Sequence, residues 1–208
     1  MITLSSIVAV VLAGGQGRRM GHVDKPLLKL AGRPLLRHVL DRMAPQVQAM
    51  AINANGSPDR FAEFNLPVVE DSAPGFLGPL AGILAGLDWA ARAHPAASHV
   101  MSIPGDAPFI PRDLVARLAA EATEGGFARA HSFGRRHPVV GLWPVAVRAD
   151  LRDQLVNHDI RKIDLFTSSY PVAEVEFDGV PDPFFNVNTP RERDEAERIL
   201  KNLPEKPE

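Results

Sequence analysis

Ile7-Val8-Ala9-Val10-Val11 is an unbroken apolar run, four of its five residues β-branched, and it ends against Leu12-Ala13-Gly14-Gly15. A run this short, with no polar alternation, suits a strand buried on both faces, as in a parallel sheet covered by helices. Similar runs recur along the chain, spaced by amphipathic stretches. Leu35, Leu36, Val39, Leu40 and Met43 fall on one face of a helix. Ala49–Ile52 and Val68-Val69 read as strands ending at Asn53 and at Glu70-Asp71. Leu80–Ala93 reads as a helix, His99–Ile103 as a strand running into Pro104-Gly105-Asp106, and Leu114–Ala122 as another helix. Strands alternating with helices predict an α/β fold of three layers, a mainly parallel sheet with helices on both faces, Rossmann-like in outline. Pro34, Pro79, Pro111 and Pro190 each precede an amphipathic stretch, the place expected for a helix's first residue.

The second half is less regular. Phe127–Phe133 and Val139–Trp143 can pair around Gly134-Arg135-Arg136 as an antiparallel hairpin; Val145–Val156 reads as a helix and Val172–Phe177 as a late strand. Arg191–Leu200 closes the chain as a helix, opened by the capping box Thr189-Pro190-Arg191-Glu192. At 208 residues the chain has room for one well-cored domain and little more. The expectation is a single domain over 1–208, with residues to about 110 building one side of a site, 111–202 the other, and 203–208 a frayed tail.

Composition narrows the partners. A net charge of −2 argues against bulk nucleic acid or an anionic membrane as the main partner, while leaving room for a small anionic ligand held locally. With no cysteine, disulfides, thiolate metal sites and a cysteine nucleophile are excluded. Met1–Ser6 carry no basic region, and Ile7–Ala13 falls far short of the roughly 20 residues that span a bilayer, so the expected setting is the cytoplasm.

The chemistry concentrates in the stretch from Leu12 to Pro26, where four glycines and three cations succeed the buried strand. In an open α/β fold this loop lies at the carboxyl end of the sheet, where ligands bind. Glycines let backbone N–H groups approach phosphate oxygens, and Arg18, Arg19 and Lys25 can neutralise a triphosphate; a solvated surface turn is the plainer reading. Gly15, Gly17 and Gly21 miss the dinucleotide-binding spacing by one residue, and no glycine-lysine-serine/threonine element is present, which excludes a P-loop.

Leu12-Ala13-Gly14-Gly15, Arg19-Met20-Gly21 and Asp24-Lys25-Pro26-Leu27-Leu28 together resemble the signature of nucleotidyltransferases that activate sugars, isoprenoid alcohols and pterin cofactors. Within that superfamily the chain is most similar to the molybdenum cofactor guanylyltransferase (MobA) family. The resemblance continues through Val69-Glu70-Asp71, Gly75–Ile83, Pro104–Phe109, His137-Pro138-Val139 and Phe185–Pro190. It implies an enzyme that moves GMP from GTP onto the phosphate of molybdopterin with Mg²⁺, manganese being a substitute. By the same resemblance Leu12, Ala13, Gly14, Gly15, Lys25, Asn53, Asp71 and Asp106 contact GTP, Lys25, Asp106 and Arg19 serve catalysis, and Asp106 is the metal ligand. Asn186 and Asn188 fall to the molybdopterin side. Transient contacts with the molybdenum-loading enzyme and with enzymes that receive the cofactor are implied too. A cytidylyltransferase, a sugar-phosphate nucleotidyltransferase and a non-catalytic nucleotide or pterin binder are the competing readings.

The residues support part of this unaided. Asp106, just past a buried strand and facing the same mouth as the glycine loop, is a suitable hard oxygen ligand, although Pro-Gly-Asp is also an ordinary turn. Asp71 can equally cap a turn, and Asn53-Ala54-Asn55-Gly56 can be a turn and nothing more. Gly75, Gly78, Gly82 and Gly86 give a helix start with one small face, for close packing on the sheet, for an N-terminus aimed at an anion or base, or for both. Asn186 and Asn188 point the same way on an extended segment, with helix capping as the alternative for Asn188 alone. Arg135, Arg136, His137, Arg161 and Lys162 offer positive charge for an acceptor phosphate or solvated surface, without a defined role.

Overall fold

The computed structural model describes residues 2–14, 24–73, 78–123 and 125–202. Strand β1, Ile7–Leu12, lies between two parallel neighbours, and its first five residues have no solvent exposure. Those neighbours are β4, Met50–Asn53, and β6, His99–Pro104. A two-stranded hairpin, β2 (Lys29–Leu30) with β3 (Arg33–Pro34), precedes β4 in the chain and stands apart from the main sheet. Adding β5 (Val68–Val69), β7 (Phe127–Ser132), β8 (Arg135–Pro144) and β9 (Val172–Glu176) gives seven strands in the order β5-β4-β1-β6-β8-β7-β9. Only β8 runs against the rest, antiparallel to both β6 and β7.

Alternate residues of β1 serve opposite faces, as the strand period requires. Ile7, Ala9 and Val11 join a core with α1 (Leu35–Met43) and α3 (Leu114–Glu121); Val8 and Val10 join one with α2 (Pro79–Ala93) and α4 (Arg148–Val156). This is the three-layer α/β fold, mainly parallel. Helix α2 lies unusually close to the sheet. A Cβ at Gly86 would sit 2.6 Å from Val10 Cβ, and one at Gly82 would sit 2.9 Å from Leu12 Cδ2. Close packing on the sheet is therefore realised at Gly82 and Gly86. A third, smaller cluster of Leu30, Leu35, Phe109, Val187 and Ala196 ties α6 (Pro190–Asn202) to the β2–β3 hairpin and the loop after β6.

Several expectations need correction. The chain does not pass from the glycine loop straight into α1: a 3₁₀ turn at Lys25–Leu27 and the β2–β3 hairpin intervene. Pro79 and Pro190 are first helical residues, but Pro34 ends β3 and stands just before α1, and Pro111 lies three residues ahead of Leu114. The helix expected over Val145–Val156 is a 3₁₀ turn at Val145–Val147 followed by α4. Two further helical pieces carried no clear periodicity: the 3₁₀ helix Pro58–Phe64 and α5, Ile163–Thr167.

The β7–β8 hairpin forms, with an irregularity. Arg129 pairs with Gly141 and the next residue, Ala130, with His137, so Pro138–Val140 bulge out of register. The buried Ser102 hydroxyl satisfies that bulge, donating to the Val139 carbonyl at 2.6 Å and accepting from Trp143 Nε1 at 2.8 Å.

Candidate active site

Four strands end in one rank. Leu12 pairs with Asn53 on one side and Pro104 on the other, and Asn53 pairs with Val69. Strand order reverses about β1, so its carboxyl end is the switch point at which an open α/β sheet leaves a crevice. The pairing extends past the strands: Ala13 N–H donates to the Asn53 carbonyl at 2.9 Å, Ala54 N–H to Val69 at 3.1 Å and Gly105 N–H to Leu12 at 2.9 Å. A Cβ at Gly105 would sit 3.2 Å from the Leu12 carbonyl oxygen, so a small residue there keeps the Asp106 turn tight against β1. Ala13 is buried and Gly14 exposed beside Asn53, with Leu12 half-buried under them.

At one end of the rank three distant residues converge. Lys25, presented by the 3₁₀ turn, forms an ion pair with Asp106 Oδ2 and donates to Asn188 Oδ1 at 2.6 Å. The Lys25 and Asp106 side chains keep 16% and 19% of their exposure, enough for a ligand to reach them. Val187 N–H donates to the Asp106 backbone carbonyl at 3.0 Å, which seats the asparagine segment against the Asp106 turn. Asn188 does not cap α6. Thr189 Oγ1 accepts from Glu192 N–H at 3.2 Å, and the Glu192 carboxylate accepts from Asn188 N–H at 2.7 Å, a capping box displaced by one residue on its return arm.

Asp106 Oδ1 and Asn186 Oδ1 are buried and have no hydrogen-bond partner among the described residues. Buried oxygens are seldom left so, and an orphaned carboxylate oxygen beside a ligand mouth fits a divalent cation. No group of three or more His, Asp or Glu side chains among the described residues could hold a metal alone. A divalent cation held by Asp106 would complete its shell with substrate phosphates and water.

At the other end stands Asp71, held on both carboxylate oxygens. Asn53 Nδ2 donates to Oδ1 at 3.0 Å and Asn55 Nδ2 to Oδ2 at 2.8 Å, while Asp71 N–H returns a bond to Asn55 Oδ1 at 2.9 Å. Asn53 also donates to the Val69 carbonyl at 3.1 Å. A Cβ at Gly82 would lie 2.2 Å from Asn53 Oδ1, so this glycine leaves the room that Asn53 occupies. Asn55, which reads in the sequence as part of a turn, is thus a full member of the cluster. Arg60 joins the two ends, bonding both oxygens of Asp24 at 3.0 and 2.9 Å and the Asn55 carbonyl at 2.7 Å. Nothing in the spacing of Asp24 and Arg60 announces that contact.

Gly15 and Arg19, with the rest of 15–23, lie outside the described residues, as do 74–77, which include Gly75. The second-half cations are mostly engaged. Arg136 pairs with Glu174 at 2.9 Å and Arg161 with Asp159 at 2.6 Å; Arg135 is exposed at the start of β8. Lys162 directly precedes α5. His137 is buried, its Nε2 2.8 Å from Ser132 Oγ, which donates to Asp182 Oδ1 at 3.0 Å. Burial holds this histidine below its usual pKa, against the opposing pull of Asp182. A depression of about 590 Å³ between Val180–Phe185 and α6 lies to one side of the rank and includes none of the residues singled out above for chemistry.

Similarity to known proteins agrees with this geometry. The family described as the MobA-like NTP transferase domain matches residues 9–169. The chain belongs to that family. The molybdenum cofactor guanylyltransferase of Bradyrhizobium sp. (strain ORS 278) is 54% identical over 95% of this chain and 94% of its own length. Among solved structures, the molybdopterin-guanine dinucleotide biosynthesis protein A of Archaeoglobus fulgidus superposes with a TM-score of 0.73 at 25% identity, covering 95% of this chain and all of the other. Rv0371c of Mycobacterium tuberculosis, in a complex with manganese, shares the fold at a TM-score of 0.68 and 18% identity, over 94% and 100% of the two chains. The family match spans the rank of strand ends and stops before the Asn186–Asn188 segment, which the full-length relative covers in extent.

Proposed function

We propose that the protein transfers GMP from GTP to the terminal phosphate of molybdopterin and releases pyrophosphate, yielding the guanine dinucleotide form of the cofactor. The observation that carries this is the convergence of Lys25, Asp106 and Asn188 at the switch point of a nucleotidyltransferase fold. Near-full-length identity to a guanylyltransferase supports the choice of base and acceptor.

An acceptor phosphate oxygen attacks the α-phosphorus in line, the α–β bridging bond breaks, and its electron pair leaves with pyrophosphate. The nucleophile is anionic at neutral pH, so no general base is needed. The barrier is largely anion meeting anion, lowered by positioning and by fixed positive charge. Lys25 supplies that charge at the α-phosphate, and Arg19 at the leaving group. Asp106 would hold Mg²⁺ through its free oxygen, and the ion, when bound, adds Lewis-acid neutralisation of phosphate charge. Asn188 keeps Lys25 aimed. Asn53, Asp71 and the Leu12-Ala13-Gly14-Gly15 edge would take the nucleoside, and Asn186 the acceptor. The nucleotide side and the acceptor side would belong to one domain, the acceptor half beginning near residue 111. Cytoplasmic GTP and transient hand-off from the molybdenum-loading enzyme to cofactor-accepting enzymes belong to the same proposal.

Calorimetry with GTP, CTP, ATP and UTP in Mg²⁺ tests it, followed by pyrophosphate release on adding molybdopterin. Selective GTP binding with acceptor-dependent release is the expected result. CTP preference would make the enzyme a cytidylyltransferase, and binding without release a carrier.

A further inference from the structure

We propose that Arg60 is a positioning residue that organises the nucleotide site from outside it, by neutralising Asp24 and bracing Asn55. The inference rests on the reading of this mouth as a nucleoside triphosphate site. Arg60 lies on the 3₁₀ helix Pro58–Phe64, between β4 and β5. Its Nη1 donates to both oxygens of Asp24, at 3.0 and 2.9 Å, and its Nη2 to the Asn55 backbone carbonyl at 2.7 Å, so the fork spans the two partners. The guanidinium lies 4.7 Å over the ring of Phe61, itself buried in the core, so its plane is fixed by packing as well as by charge.

The position of each partner gives the grip its effect. Asp24 is the residue before Lys25, and its carbonyl accepts from Leu27 N–H at 2.9 Å, closing the turn that presents Lys25. A bare carboxylate there would face the incoming triphosphate with like charge, beside the cation meant to receive it. Arg60 cancels that charge. On its other side Asn55 holds Asp71 through a reciprocal pair of bonds, so support of the Asn55 backbone reaches the far end of the rank. An ordinary exposed ion pair contributes little; a pair tied into a network is the exception, and here one guanidinium spans Asp24 and Asn55 while the Arg60 and Asp24 side chains are only about one-third exposed. Ordering both ends before the nucleotide arrives improves binding by reducing what must be ordered afterwards.

The test is steady-state kinetics and calorimetry on the full chain with Mg²⁺, GTP and CTP, for Arg60→Ala, Arg60→Lys, Asp24→Asn and the double variant Arg60→Ala with Asp24→Asn. Arg60→Ala should raise the KM for the nucleotide about tenfold and leave that for molybdopterin unchanged. Arg60→Lys, which keeps the charge and loses the fork, should fall between. Adding Asp24→Asn to Arg60→Ala should recover affinity several-fold, because it removes the carboxylate that Arg60 no longer covers. A structural role alone would lower the melting temperature and show no such recovery. The proposal is overturned if Arg60→Ala binds nucleotide like the parent, or if its loss is untouched by Asp24→Asn. The parent protein judges the guanylyl reading separately: should it take CTP instead, that reading fails and Arg60 is judged on CTP, while binding of neither nucleotide removes both.

Discussion

The two carboxylate oxygens of Asp106 stand in different surroundings. One is committed to Lys25, and the other is buried without a partner among the described residues. Asp106→Ala should therefore cost about two to three decades in turnover, measured as acceptor-dependent pyrophosphate release in Mg²⁺. Near-parental turnover in a folded variant would remove Asp106 from the mechanism. Asn188 makes a finer test. Its side-chain oxygen is on the Lys25 ammonium, so Asn188→Ala should lower kcat about tenfold with the KM for molybdopterin unchanged. A raised acceptor KM at constant kcat would instead put Asn188 in the acceptor's own binding surface. At this scale the sequence was legible for Lys25 and Asp106 as residues of one mouth, which the fold pairs, although each also reads as an ordinary turn residue when the resemblance is set aside. It was not legible for Asn55 or Arg60, because each meets its partner only in the folded chain, Asn55 where β4 and β5 end side by side and Arg60 across 36 residues of sequence.

Helix α2 shows how an element can be read correctly and its purpose still divided. Leu80–Ala93 was evident from apolar content, but the glycines within it admitted both packing and ligand binding. In the fold they separate by position. Gly86 meets Val10 in the core, and Gly82 meets Asn53 at the site. Gly86→Ala should destabilise by about 1–3 kcal/mol through overpacking, read by urea unfolding, with nucleotide affinity of the folded protein unchanged. Gly82→Ala should do both: it lowers stability and also weakens GTP binding, since the added methyl displaces the amide that holds Asp71. Equal binding by the two variants would separate Asn53 from the nucleotide. The β2–β3 hairpin escaped prediction because each of its strands has two residues, too few for any periodicity to show. Its place is set instead by packing of Leu30 against Leu35, Phe109 and Val187.

Across the whole molecule, three histidines respond alike to folding. His38, His99 and His137 are each held below the ordinary value of 6.5, burial being the main cause in every case. Unfolded, they take up protons as pH falls through about 6.5; folded, they resist until lower pH. The unfolded chain then binds more protons, so stability is complete above that value and declines as pH drops below it. Thermal midpoints should be level from pH 8 to about pH 7 and fall between about pH 6.5 and 5, ahead of the carboxylate range. Replacing His137 with Gln should flatten part of that decline. A midpoint constant down to about pH 5 would show that these rings titrate alike in both states. The fold class was legible because alternation of buried strands with amphipathic helices survives any local error. The order of the strands beyond β6 was not, since a single antiparallel strand and its bulge reroute the second half without altering the composition of any segment.

The common rank of Val69, Asn53, Leu12 and Pro104 makes the sheet a ruler. Three interstrand intervals of about 4.8 Å separate the Asp71 end from the Asp106 end, some 14 Å in all, on the order of an extended nucleotide's length. That distance is set by backbone hydrogen bonds and by no side chain. Loops above it can lengthen, shorten or change residue without altering the measure, whereas a strand inserted within the rank would lengthen it by a whole division.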